Sequence, residues 1–154
     1  MNATAEVLPV HVPADVRRFG VADLSTHGGW VLRRLMLLFP DVPERFIGGW
    51  LNGLIADNEH LFLYQKHAIA LAQVVSVPGL KPGKMIQERF VWVEDKNDKE
   101  QVEFAADFYQ HFAEWGRGMR AERIICCENT DVPKSLIEAR IGRLFDTKIS
   151  YARL

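Results

Sequence analysis

The stretch KMIQERFVWVE, residues 84–94, constrains the fold more than any other part of the chain. Phe90, Val91, Trp92 and Val93 are consecutive apolar residues, where a half-solvated strand would alternate apolar with polar side chains. Four in a row predict a strand covered on both faces near its end, inside a layered fold rather than a surface ribbon. The preceding segments agree with a meander. HLFLYQK and AIALAQVVSV are short, apolar and separated by a tight turn at His67, and PGLKPG supplies the next turn.

Helical periodicity surrounds this block. Asp23 precedes LSTHGGWVLRRLMLLF, where its carboxylate is expected to accept orphan amides at a helix start. Pro43 is placed to open a second helix, ERFIGGWLNGLIADN, with Phe46, Trp50 and Leu54 along its apolar side. In VEFAADFYQHFAEWGRGM, Val102, Ala105, Phe108, Phe112 and Trp115 recur at helical spacing, and Gly116 and Gly118 can end the helix. ERIICCE reads as a buried strand. DVPKSLIEARIGRLF reads as a helix with Asp131 near its cap and Pro133 in its first turn, and KISYARL as a closing strand. Upstream, either VLPVHV or DVRRF can be a first strand.

The 154 residues have the size of one domain, 1–154, with 48% hydrophobic and 25% charged residues and a net charge of −1. That balance supplies no global field for nucleic acid or an anionic membrane. Arg33 and Arg34 interrupt the longest apolar run before the roughly 20 residues a bilayer span requires. The N-terminal residues lack the marks of an export signal, so the expected location is the cytoplasm. Cys126 and Cys127 are adjacent and read as reduced, Cys126 as a core residue. The histidines, His11, His27, His60, His67 and His111, show no metal-binding spacing, so no metal is expected. Trp30, Trp50, Trp92 and Trp115 read as core or interface anchors, and GRGMRAER as a solvated helix end.

The order strand, two helices, three antiparallel strands, long helix, strand, helix, strand resembles the core of the GNAT superfamily of acyl-CoA-dependent N-acyltransferases over nearly the whole chain. The likeness is sharpest in ERIICCENTDVPKSLIEARIGRLF, which looks like that family's strand, Asn-containing turn, helix and closing glycine, with Asn129 and Gly142 at the matching places. Asp23 in VADL also looks like the aspartate that opens the family's first helix. The resemblance implies an α+β fold, a three-layer α/β/α arrangement, with a mixed, mostly antiparallel sheet of about six strands flanked by about four helices. It implies acetyl-CoA or another acyl-CoA as donor and an amine as acceptor.

In the family, the strand matching RFVWVE splays from its neighbour, so the backbone of Val91, Trp92 and Val93 would meet the pantetheine arm. The pyrophosphate loop, of pattern R/Q-x-x-G-x-G/A, corresponds here to Lys96, Asn97, Asp98, Lys99, Glu100 and Gln101. Bare amides at a helix start suit an anion, and glycine permits close approach. Lys99 and Gln101 stand where the family has small residues, and Asp95, Asp98 and Glu100 add negative charge. Two readings follow. Either Lys96 and Lys99 hold CoA through their side chains, or the chain is a non-catalytic GNAT-fold binding or assembly module that has lost CoA binding. An open gap between the fourth and fifth strands, leading to free amides, marks the first. A gap filled by Phe90, Trp92 or Phe104 marks the second.

The family often places a catalytic base on the strand before the loop, which points to Glu88; the alternative for Glu88 is a solvent-facing side chain paired with a nearby cation. The family's acid tyrosine is replaced, since Glu138 or Ala139 stands in its place, and Tyr109 and Tyr151 are distant in sequence. Asn129 matches the cofactor-side turn of the family, and a helix-capping role explains it equally well. Twelve residues follow Gly142, enough for one closing strand where the family has a hairpin. The acceptor side would then be open, or completed by a second copy pairing along KISYARL.

Overall fold

The computed structural model describes residues 15–77, 83–142 and 147–153. In chain order these form β1 (Arg17–Arg18), α1 (Leu24–Leu38), α2 (Glu44–Ala56), β2 (His60–Gln65), β3 (Ala68–Val77), β4 (Gly83–Val93), α3 (Lys99–Gly118), β5 (Arg123–Cys127), α4 (Lys134–Gly142) and β6 (Lys148–Ala152). The strands lie side by side in sequence order. β1 to β4 form an antiparallel meander, whereas β5 joins β4 and β6 joins β5 in parallel. Of the two candidate first strands, DVRRF is the one seen; VLPVHV lies outside the described residues, as does most of the PGLKPG turn.

Strand alternation divides the core into two layers. Ala68, Ala70 and Ala72 of β3 turn to one face, where Ala105, Phe108 and Phe112 of α3 and Ile137 and Ile141 of α4 cover them. Ile69 and Leu71 turn to the other, against Val31 and Leu35 of α1 and Ile47 and Leu51 of α2. This is the expected three-layer α/β/α arrangement. The small β3 side chains let α3 lie close to the sheet, and Gly116 does the same further along: a Cβ there would lie 2.9 Å from Ile86 Cγ1. α3 and α4 are joined by a buried ion pair, Arg140 Nε to Asp107 Oδ1 at 3.1 Å.

Two local expectations are corrected, and a third holds with a difference. Asp23 does not cap α1; its carboxylate accepts from Gly20 N at 2.8 Å and from the Tyr64 hydroxyl at 2.7 Å, tying the turn before α1 to β2. The Gly20 amide, and then Tyr64, hold the Asp23 carboxyl below its usual range. On α2, Ile47, Leu51 and Leu54 are buried, while Phe46 and Trp50 are 58% and 39% exposed. Both stripes are apolar at helical spacing, so periodicity alone could not say which one meets the sheet. α3 ends at Gly118, but the left-handed residue beyond it is Arg120, with φ of 59°.

Candidate active-site cleft

β4 and β5 pair over three positions only, Met85 with Arg123, Ile86 with Ile124 and Gln87 with Ile125. They then separate. The cause lies on the other edge of β4, where β3 residues Leu71 and Ala72 pair with Phe90 and Glu88, leaving Arg89 as an extra residue. Such a bulge bends its strand and raises the local twist. It also resets the alternation: Glu88, Val91 and Val93 share the α3 face, whereas Phe90 and Trp92 turn toward α1 and α2. Four consecutive apolar residues are thereby covered on both faces. The gap is a cleft of about 850 Å³, with the β4 residues from Glu88 to Val93 on one side and Cys127, Asn129, Thr130 and Asp131 on the other.

Glu88 sits at the apex, fully buried, so the solvent-facing reading of this residue is wrong. Its Oε2 accepts the Cys127 amide at 3.2 Å, and Cys127 Sγ donates to the Glu88 carbonyl at 3.5 Å. The carboxylate thus serves an amide that faces β4 after the strand has moved away. Oε1 is buried with no hydrogen-bond partner of standard geometry. Tyr109, buried on α3, acts on the same carboxyl, while its own well-formed hydrogen bond is to Thr130 Oγ1 at 2.9 Å. Burial pushes the Glu88 carboxyl above its usual range, and hydrogen bonding from Cys127 and Tyr109 offsets part of the rise. Burial first, then the nearby Glu88 charge, holds the Tyr109 phenol well above its usual range. The same two causes raise both cysteine thiols, which keeps them protonated and fits the structural reading of Cys126.

Toward the mouth the cleft is acidic. Glu94 is held by Arg34 Nη2 at 3.0 Å and His67 Nδ1 at 3.2 Å, and these two partners, His67 first, keep its carboxyl below the usual range. Arg34 is itself placed by stacking on Trp30, with its guanidinium 4.5 Å from the ring centre. Asp131 Oδ2 reaches across the gap to the Val93 amide at 3.4 Å. Beyond β4, Asp98 caps α3, its Oδ1 accepting from the amides of Glu100 at 3.0 Å and Gln101 at 3.4 Å.

Of the residues singled out in the sequence, Glu88, Val91, Trp92, Val93, Lys96, Asn97 and Asn129 meet in this cleft. Asp98, Glu100 and Gln101 line a smaller neighbouring cavity of about 410 Å³ instead, with Phe104, and Lys99 lines neither. Lys99, Glu100 and Gln101 belong to the first turn of α3 rather than to a loop. Asn129 does not cap α4, which opens at Lys134 with Pro133 O accepting its first bonds. Phe90 and Trp92 line the cleft while packing against the α1 and α2 side of the core, and Phe104 lines the neighbouring cavity; the gap beside them stays open at about 850 Å³. Tyr109, Thr130 and Asp131 were missed because nothing local to them signals a site; only the topology brings α3 and the turn after β5 to Glu88. Tyr151 pairs with Glu138 instead, at 3.2 Å. Among the described residues no His, Cys, Asp or Glu cluster is placed to hold a metal, and no helix is long and apolar enough to cross a membrane.

No family model matches the sequence, and no curated protein does either. Solved structures do match. An aminoglycoside 6'-N-acetyltransferase from Acinetobacter haemolyticus superposes with a TM-score of 0.56 at 14% identity, covering 91% of this chain and 94% of its own. An aminoglycoside N-acetyltransferase in complex with CoA gives 0.53 at 13% identity, with 96% of each chain covered. The fold is that of the GNAT acyltransferases. The glucosamine-6-phosphate N-acetyltransferase of Arabidopsis thaliana is similar at 0.54 and 12% identity, over 72% of this chain and 79% of that one. The splayed fourth and fifth strands, the bulge at Arg89 and the helix that follows β4 all lie within the part of the chain that shares this fold.

Proposed function

We propose that the chain transfers an acyl group from a pantetheine thioester, such as acetyl-CoA, to an amine. The observation that carries this reading is the open cleft between β4 and β5, with a buried carboxyl of raised pKa at its apex. The fit to acyl-CoA is divided. The thioester end fits, because the gap is open alongside Val91, with Asp131 reaching only the Val93 amide; the pyrophosphate end does not, because amides at the start of α3 are already bonded to Asp98. A bound thioester would supply an activated carbonyl: as the amine nitrogen bonds to carbon the C–S bond breaks, and the thiolate leaves and takes its proton from water. Glu88 is the proton acceptor: a carboxyl raised toward neutrality takes a proton from an ammonium or an attacking amine more readily than an ordinary glutamate. Cys127 N holds Oε2, which leaves Oε1 as the receiving atom. Asn129 and Lys96 flank the route in.

A second reading, a non-catalytic binding or assembly module, is favoured by one observation: Asp98 and Asp131 occupy the amides of Glu100, Gln101 and Val93 with the chain's own carboxylates. Thermal unfolding with and without millimolar acetyl-CoA and CoA separates the two. A ligand at 100 times its dissociation constant stabilises the native state by about 2.7 kcal/mol. The enzyme reading expects an upward shift that Asn129→Trp, which fills the cleft from an exposed position, abolishes. No shift for either ligand would leave the module reading.

A further inference from the structure

We propose that Asp98, just beyond the cleft, plugs the start of α3 by holding its amides, so that the chain reads an acyl donor by its thioester end and does not grip a nucleotide pyrophosphate. This rests on the donor reading of the cleft above. A helix start binds phosphate because its first amides are unpaired and point outward. α3 is long and begins where the cleft ends, but its amides are taken from within. Asp98 Oδ1 accepts from Glu100 N at 3.0 Å and from Gln101 N at 3.4 Å. Just before it, Gln101 Oε1 accepts from Asp95 N at 2.9 Å, and Asp95 Oδ1 accepts from Asn97 N at 3.0 Å. Four amides of this segment, those of Asp95, Asn97, Glu100 and Gln101, are therefore taken by its own side chains.

An entering pyrophosphate would have to break the Asp98 bonds and then lie beside the displaced carboxylate. Both effects oppose binding, the first by the loss of charge-assisted hydrogen bonds and the second by repulsion between like charges. Of the two lysines in the segment, Lys96 lines the cleft, as Arg89 of β4 does, and Lys99 does not. Neither forms an ion pair with Asp98 among the described residues. On the thioester side the gap alongside Val91 is open, and the one side-chain contact across it is the longer bond from Val93 N to Asp131 Oδ2 at 3.4 Å.

The test is calorimetric titration of the full chain with acetyl-CoA and with S-acetyl-pantetheine, which lacks the nucleotide. Asp98→Ser keeps a capping hydroxyl without the charge, and Asp98→Gly bares the amides; glycine at a helix N-cap lowers stability by only a few tenths of a kcal/mol, so both should fold. The wild-type chain is expected to bind the two donors with affinities within about threefold. Each variant should bind acetyl-CoA on the order of tenfold more tightly, with affinity for S-acetyl-pantetheine unchanged, because a full charge beside the pyrophosphate is worth about that factor near a protein surface. A wild-type chain that prefers acetyl-CoA by more than tenfold, with the preference unmoved in both variants, overturns the plug and leaves the donor reading standing. Absence of binding by either donor to all three natively folded forms overturns the donor reading, and the plug with it.

Discussion

Glu88 is buried at the apex of the cleft, where the Cys127 amide donates to Oε2 and Tyr109 acts on the same carboxyl, and Oε1 has no partner of standard geometry. Burial raises its carboxyl from the ordinary 4.5 of a glutamate. A carboxyl whose pKa is higher folded than unfolded contributes stability that is complete below the unfolded value and is lost as pH climbs through the folded one. Glu88→Gln stays neutral and keeps an acceptor for Cys127 N. Its stability should therefore gain on the wild type as pH rises above 4.5, by about 1.4 kcal/mol for each unit by which the wild-type carboxyl is raised. Urea midpoints of both proteins at pH 4 and pH 8 measure this, and parallel changes would refute it. The residue was legible in the sequence as a carboxylate on the right strand. Its burial was not, because it depends on Tyr109 and Cys127, which are 21 and 39 positions away.

The elements were largely legible, since each rests on periodicity and turn chemistry within a few residues. The hairpin at Lys66 and His67, the start of α2 at Pro43 and the α3 face from Val102 to Phe112 all come from such short-range signals. How elements meet was less so. Gly116 reads as a helix terminator, yet it is the point where α3 crosses β4. Gly116→Ala should destabilise the protein by about 1–2 kcal/mol, because the clash with buried Ile86 outweighs the roughly 1 kcal/mol that alanine adds to a helix. In an Ile86→Ala background the same change should become neutral or stabilising. Chemical denaturation of the four proteins in this cycle gives the coupling directly.

At the scale of the molecule, a four-stranded meander and a β5–α4–β6 unit share one sheet but only three paired positions. α3 bridges them by contacts to β3, β4 and β5. The first half of β3, Ala68 to Ala72, is buried between β2 and β4, and β2 is buried beside it, whereas β6 is an edge strand with no fully buried residue. Amides of β2 and of the first half of β3 should exchange with solvent only on global unfolding, and those of β6 on the order of tenfold or more faster by local opening; hydrogen exchange followed by mass spectrometry reads both. Comparable protection across the sheet would mean the two units open together. The sequence by itself determined the element order, the layered class and the need to cover RFVWV on both faces, because hydrophobic period and breakers act locally. Only the tertiary structure decided the bulge at Arg89, the burial of Glu88, the clear gap beside it and the capture of the α3 amides by Asp98. Each of those depends on strand register, or on which of several nearby carboxylates reaches a given amide, and neither is written in any short stretch of chain.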